Sequence, residues 1–349
     1  MDEFASIRHW TAERQSAEWQ RSRGVVLGIG DDAAVVDTRR AVAGIAGPYE
    51  LVMAMDTMVE TVHFNDVTMS DEDVGYKALA ANISDIAAMG GIPLHALVSV
   101  SVPKSYGPER MRRLYDGLYA CAERYGVAVV GGDTTSSPLH LVIAVTVTGA
   151  VEAGKALRRS GAKPGDAVVL TGPPVGMSAA GLHWLLAQRA VGASAVEERA
   201  VAALLKAHRR PEPGVRAGRL LLARGSCTSL NDVSDGLASE AWEIAEASDC
   251  SLVLEERLLP RSGSMASYAG SVGINPLDWM LYGGEDYALL GTMETEDAEA
   301  MQSAFREEGL PFYIIGNVEE KAGEPAVYLV RQDDERAVRV EKRGYNHFS

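Results

Sequence analysis

The chain reads as a two-domain α/β (α+β) protein, with mixed sheets carrying helices. Three observations predict this. Its 349 residues exceed one ordinary domain, at roughly 100–200 residues each. Short apolar runs alternate with helical-period segments along the chain, the pattern of helices laid on a sheet. A Gly- and base-rich break, "VEAGKALRRSGAKPGD" at 151–166, divides the predicted domains into 1–150 and 151–349.

The elements follow in order. "MDEFASIRHWTAERQSAEW" is charged throughout and has no apolar core, so it reads as an amphipathic helix, not a secretory signal. Residues 25–36 read as strand, turn, strand, with 33–36 as a buried strand behind the turn glycines Gly28 and Gly30. "YELVMAMDTMVE" (49–60) is an apolar strand ending at Asp56. "SDEDVGYKALAANISDIAAMG" (70–90) is a helix with Ser70 and Asp73 as a capping-box pair, stopped by Gly90 and Pro93. "LHALVSVSVP" (94–103) is a strand, and 107–126 a helix closed by Gly126. "VAVVGGD" and "LHLVIAVTVTGAV" are strands around a turn, the first ending at Asp133. The second half opens with the strand "DAVVLTG", then a helix from Ser178 and a long helical stretch to His208. "RRPEPG" (209–214) is a surface connection, "SLNDVSDGLASEAWEIAEASDC" enters a helix, and "YALLGTM" and "FYIIGNV" are strands. No repeat or low-complexity segment interrupts them.

Composition excludes several classes. Net charge is −15, so nucleic-acid binding, which needs a basic surface, is not expected. No apolar run approaches the roughly 18 residues of a membrane span, and mean hydropathy is −0.03. Cys121, Cys227 and Cys250 lie far apart, fit neither a disulfide framework nor a zinc site, and suit a reducing cytoplasm. "GAVEAGKA" (149–156) nearly matches a P-loop, but Ala156 stands where a Mg²⁺-binding hydroxyl belongs, and Gly161 and Pro164 interrupt the helix a P-loop opens.

The acidic residues carry more information. Asp31 and Asp32 follow a turn, Asp56 and Asp133 end strands, and Asp232 and Asp235 precede a helix. Sheet folds build sites at such places, although each residue alone also fits an N-cap or turn aspartate. Asp85 follows Ala78, Ala81 and Asn82 by seven, four and three residues, which sets it on an apolar helical stripe with no Lys or Arg at i±3 or i±4. A carboxylate there needs a partner or a cation. Converging carboxylates need cations to stay ionised, and oxygen ligands without His/Cys clusters select Mg²⁺, which usually bridges to phosphates.

"GIGDDAAVV", "DTMVETVHF", "YKALAANISDIAAMGGIP", "VVGGDTT", "RRSGAKPGD", "SDGLASE", "GGEDYALL" and "GYNHF" occur in that order over residues 28–348. Together they resemble the thiamine-monophosphate kinase family, in the superfamily of aminoimidazole ribonucleotide synthetase and selenophosphate synthetase. The resemblance implies an N-terminal mixed sheet whose helices and strands form a dimer barrel, a C-terminal α/β domain, and an ATP site between the two under several Mg²⁺ ions. It implies Asp32, Asp56, Asp85, Asp133, Asp232 and Asp235 as metal ligands, with Asp31 adjacent. It assigns Gly132, Asp133, Arg159 and Ser234 to ATP, and His63, Glu285 and Tyr345 to thiamine monophosphate. No catalytic base is expected, because a phosphate acceptor is already ionised. Tyr345 also fits plain C-terminal packing, and His63 a structural histidine.

Two departures stand out. Ala54 and Met55 replace the family's hydroxyl residues, so Met55 is expected to meet metal through its backbone carbonyl. Thr61 stands where glycine is usual. Rival readings are a selenophosphate, purine or hydrogenase-maturation relative, and a non-catalytic acidic metal-binding protein. Against them stand the absence of a cysteine before Cys121, the ending His347–Phe348–Ser349, and "GGEDY" with "GYNHF". The expected protein is a cytoplasmic, ATP-dependent kinase, a homodimer binding neither nucleic acid nor membrane.

Overall fold

The chain opens with two short helices, α1 (Glu3–Thr11) and α2 (Ala17–Ser22), in the computed structural model, which describes residues 3–30, 33–42, 44–187 and 196–345. A two-stranded hairpin, β1 (Val25–Leu27) with β2 (Val35–Val36), and a short helix α3 (Thr38–Ala41) come next. Val35 and Val36 are exposed, which corrects the buried strand expected over 33–36. A two-stranded ribbon has too few neighbours to bury its own faces.

A four-stranded sheet forms from β3 (Tyr49–Val59), β4 (Ile92–Pro103), β5 (Ala128–Ser137) and β6 (Val142–Glu152), in the order β3-β6-β4-β5. Helix α4 (Asp71–Ala88) lies between β3 and β4 in the chain, and α5 (Pro108–Tyr125) between β4 and β5. Only the β4–β5 pair of this sheet is parallel, and a parallel pair needs such a crossover. Ser70 Oγ accepts the Asp73 N–H at 3.2 Å, the expected N-terminal cap. The helices α4 and α5 cross at Gly75 and Gly117: a Cβ on Gly117 would sit 1.7 Å from Glu72 O, and one on Gly75 1.9 Å from Leu114 O.

The two faces of this sheet differ. Ala96, Val98 and Val100 of β4 and Ile143, Val145 and Val147 of β6 are buried on one face. Leu51, Met53 and Met55 of β3 and Leu97 of β4 stand exposed on the other. Asp56 and Asp133 lie inside β3 and β5, not at their ends, because both strands continue in register past them. In β5 the partner of Ala96 is Val129 and that of Leu97 is Gly131, a bulge that reverses which face the following residues take.

The second half holds β7 (Ala167–Thr171), α6 (Met177–Ala187), α7 (Glu198–Arg209), α8 (Val215–Arg224), β8 (Cys227–Asp232), α9 (Leu237–Ser248) and β9 (Ser251–Glu255). After these come α10 (Gly263–Val272), α11 (Pro276–Tyr282), β10 (Leu289–Met293), α12 (Thr295–Glu307), β11 (Phe312–Glu319), β12 (Ala326–Arg331) and β13 (Asp334–Arg339). Their seven strands form one mixed sheet, ordered β13-β12-β9-β11-β7-β10-β8. Val168 and Leu170 of β7 pack into a core with Trp242 and Ile315, while Ala167 and Val169 pack into another with Leu221 and Phe305. Burial on both faces explains the uninterrupted apolar run of β7. The helix expected from Ser178 is α6, the helical stretch expected up to His208 contains α7, and residues 188–195 lie outside the described residues. No helix opens after Lys155, so the near-P-loop lacks its defining element.

The chain divides into two compact units, Met1–Ile86 with Gly91–Lys155, and Ala87–Gly90 with Ala156–Ser349. Among the described residues no helix is long and apolar enough to cross a membrane.

Candidate functional site

In the first unit the register puts Asp56, itself exposed on the edge strand, in a row with Val145 and Val98, on the sheet face where α4 supplies Asn82 and Asp85. Asn82 Oδ1 accepts the Asp56 N–H at 2.9 Å, and Asn82 Nδ2 donates to Ala78 O at 3.0 Å. Asn82 thus ties the edge strand to the helix. Asp56 and Asp85 share a hydrogen bond between their side chains. Desolvation raises the Asp56 carboxyl above its ordinary range, and the bond to Asp85 and the nearby His63 ring offset only part of that rise. Two hard oxygen donors side by side, one of them desolvated, fit Mg²⁺.

His63 lies in the tight loop after β3. Its Nδ1 accepts the Val59 N–H at 2.9 Å, so the ring proton sits on Nε2. Thr61 in the same loop has φ +71°, the left-handed conformation that suits the glycine usual there.

Asp133 stands apart from the Asp56–Asp85 pair. It shares a row with Ser99, Ala144 and Thr57, one step from the Asp56 row and on the opposite face. Three strand spacings separate β3 from β5, about 14 Å at ~4.8 Å each. Gly132 is extended, and a Cβ there would lie 1.8 Å from Val98 O, so β4 itself demands glycine. The Met55 side chain is exposed on the open face. Asp31 and Asp32 lie outside the described residues, as does the tail after Tyr345. Among the described residues no group of three or more His, Cys, Asp or Glu side chains is placed to hold a metal ion. Among the described residues of the first unit, Asp56 and Asp85 are brought together, and Asp133 lies on the opposite face.

In the second unit three sequence blocks meet. The "NDVSDG" turn (231–236) joins β8 to α9, and the "GGEDY" loop (283–287) leads into β10. Glu285 N–H donates to Ser234 O at 2.6 Å, Tyr287 N–H to Val233 O at 2.8 Å, and Val233 N–H to Ala288 O at 2.7 Å. A Cβ on Gly284 would meet Ser234 O at 2.5 Å, which accounts for glycine in that loop. Glu285 and Tyr287 both adopt positive φ, +66° and +51°, and hold it because these bonds determine the backbone. Buried Asp286 accepts the Gly176 and Ser178 N–H groups at 2.5 and 3.1 Å, capping α6. His208 Nδ1 is 3.1 Å from Ser178 Oγ and 3.5 Å from Glu285 Oε2. The third block is the tail: Arg343 stacks 3.9 Å from the Tyr282 ring centre, and the Tyr345 N–H reaches Asp235 O at 3.4 Å.

Arg159 sits on the same turn. Its Nε donates to Asn231 Oδ1 at 3.0 Å, and its Nη1 lies 3.1 Å from Glu243 Oε2. Ser234 Oγ and the Asp235 N–H both bond to Glu240 Oε1. Asp232 closes β8 and is buried, and its charge helps raise Glu240. Burial first, then the Glu243 charge, push Glu240 well above the ordinary carboxylate range. Asn82, Asn231 and Glu240 escaped the sequence reading. Glu240 had one signal, an acid in the first turn of a helix behind the "SDG" turn.

Comparison with known proteins places the chain in a family. The family models of AIR synthase related protein match in both parts, the N-terminal domain over residues 30–151 and the C-terminal domain over residues 163–328. The chain is 43% identical over 350 residues to thiamine-monophosphate kinase of Bacillus subtilis (strain 168), spanning 100% of both. With that of Escherichia coli (strain K12) it shares 36% over 325 residues, 93% of each. The crystal structure of thiamine-monophosphate kinase from Stenotrophomonas maltophilia K279a superposes with TM-score 0.77 at 31% identity, over 90% of this chain and 95% of that one. AaThiL complexed with AMPPCP and TMP gives 0.74 at 32% identity, over 86% and 88%. The hydrogenase maturation protein HypE of E. coli reaches 0.75 at 18% identity, over 99% of each chain, a likeness of fold alone. The chain therefore belongs to the thiamine-monophosphate kinase family, built from two AIR synthase related domains, and is an enzyme of the kinase class.

Proposed function

We propose that the enzyme transfers the γ-phosphoryl group of ATP directly to the phosphate of thiamine monophosphate, giving thiamine diphosphate and ADP. The observation that carries this reading is the bonding of the "NDVSDG" turn, with Arg159 beside it, to the "GGEDY" loop and the tail. One side of that assembly matches the nucleotide positions Arg159 and Ser234, and the other the substrate positions Glu285 and Tyr345. Gly132 and Asp133 of the first unit are the other residues assigned to the nucleotide.

The acceptor oxygen is anionic at neutral pH, so no side chain has to remove a proton. A bond forms from that oxygen to the γ-phosphorus while the bond to ADP breaks in line. Arg159 holds the nucleotide, His63 donates from Nε2 to the substrate phosphate, Glu285 orients the substrate, and the Tyr345 ring faces the cationic thiazolium. Asp32, the Met55 carbonyl, Asp56, Asp85 and Asp133 of the first unit and Asp232 and Asp235 of the second would hold Mg²⁺. When bound, these ions supply the positive charge that lets two polyanions meet.

We also infer a homodimer, which would cover the apolar face of Leu51, Met53, Met55 and Leu97 as a barrel. The free thiols Cys121, Cys227 and Cys250 support a cytoplasmic setting. ADP release measured with ATP and Mg²⁺ tests the reaction. It should require thiamine monophosphate, yield thiamine diphosphate, and stop with chelator. Equal rates on free thiamine would overturn the mechanism, because an alcohol needs a base.

A further inference from the structure

Behind the nucleotide positions lies a buried polar chain with a fixed direction. Glu240, 2% exposed, sits in the first turn of α9 and reaches back over the turn before it. Its Oε1 accepts the Asp235 N–H at 3.0 Å and the Ser234 hydroxyl at 3.3 Å. Its Oε2 accepts from Asn231 Nδ2 at 2.5 Å, and Glu243 Oε2 accepts from the same nitrogen at 2.9 Å. The Asn231 amide therefore has one orientation: nitrogen toward two acids, oxygen toward Arg159 Nε at 3.0 Å. Arg159 itself is more than half exposed, so the chain leads from a buried acid to an outward guanidinium.

We infer that Glu240 is a positioning residue for the nucleotide: through Asn231 it aims the Arg159 guanidinium, and through Ser234 and the Asp235 amide it holds the adjoining turn. The inference rests on Arg159 being a nucleotide contact, as proposed above. Glu240 touches no substrate and acts through its neighbours. Without it, the Asn231 amide loses its shorter acceptor and is held by Glu243 alone, an acid that also pairs with Arg159. The guanidinium then swings between solvent and Glu243.

Glu240→Gln tests this in the full chain with nearly unchanged volume. The new amide oxygen can keep the Asp235 N–H, but its nitrogen then faces Asn231 Nδ2. The expected result is a KM for ATP raised about tenfold, the loss of one charged hydrogen bond, with the KM for thiamine monophosphate unchanged. Arg159→Ala should raise the ATP KM at least as much, and the double variant should be no worse than Arg159→Ala alone. If Glu240→Gln does not fold, Asn231→Ala cuts the same link from its other end and is read the same way. An effect in Arg159→Ala with none in Glu240→Gln overturns the positioning role alone. No effect in Arg159→Ala overturns it together with the nucleotide assignment of Arg159. A fall in melting temperature with both KM values shifted alike, or additive effects in the double variant, also overturns it.

Discussion

His63 Nδ1 lies 2.9 Å from the Val59 amide nitrogen and accepts its hydrogen, which leaves the ring proton on Nε2. A histidine so fixed is a directional donor. His63→Asn keeps an acceptor near Nδ1 and removes the N–H at the Nε2 position, which the shorter amide does not reach. We expect the KM for thiamine monophosphate to rise about tenfold, as for one hydrogen bond to a charged group, with the ATP KM and melting temperature little changed. Steady-state kinetics checks this, and an unchanged KM would return His63 to a purely structural role.

Thr61, two residues before it, is exposed and holds φ +71°. A β-branched residue pays for that conformation, and glycine does not. Thr61→Gly should gain about 0.5–1 kcal/mol after its own entropic cost, raising the melting temperature by a few degrees. Denaturant unfolding decides it, and a loss of stability would mean that the Thr61 side chain makes compensating contacts.

The Asp56–Asp85 pair is expected to respond to Mg²⁺ without any turnover. In wild type, saturating Mg²⁺ should raise the melting temperature, by an amount equivalent to about 2.7 kcal/mol at a hundred times Kd. Asp85→Asn removes one ligand charge and little volume, so most of that shift should vanish while the metal-free protein stays folded. Differential scanning fluorimetry with and without Mg²⁺ reads both. The same shift in Asp85→Asn would exclude this pair as a metal site.

Stability should also depend on His95. Its Nε2 donates to Arg23 O at 2.8 Å, and Nδ1 faces Thr148 Oγ1 at 3.3 Å. Burial lowers its pKa below the ordinary histidine value, and the Arg23 bond offsets part of the drop. The unfolded chain then binds a proton near pH 6.5 that the folded chain refuses. Stability is full above that pH and is lost as pH falls through it toward the lower folded value. His95→Gln should flatten this loss in urea melts taken between pH 7 and 5. An identical pH profile in both proteins would remove His95 as its source.

What the sequence by itself determined was local. The helix α5 begins at Gly107–Pro108 and ends at Gly126 because proline starts a helix and a left-handed glycine closes one. Ser70 caps α4 as its spacing from Asp73 requires, and the motif blocks carried the family. These rest on interactions within one or two turns, which spacing encodes. The tertiary structure decided the rest. The bulge in β5 turns Asp133 away from Asp56, and no spacing reveals a bulge, since it is set by the partner strand. Val35 and Val36 are apolar yet exposed, because burial depends on whether a second layer is present. Asn231 meets Arg159 across 72 positions of chain, and Glu285 meets His208 across a similar stretch, only because β8, α9 and the "GGEDY" loop are packed together. Motifs thus name which residues the chemistry needs. Hydrogen bonds between remote segments decide which way those residues point, because a polar atom buried by folding must find its partner wherever the packed chain supplies one.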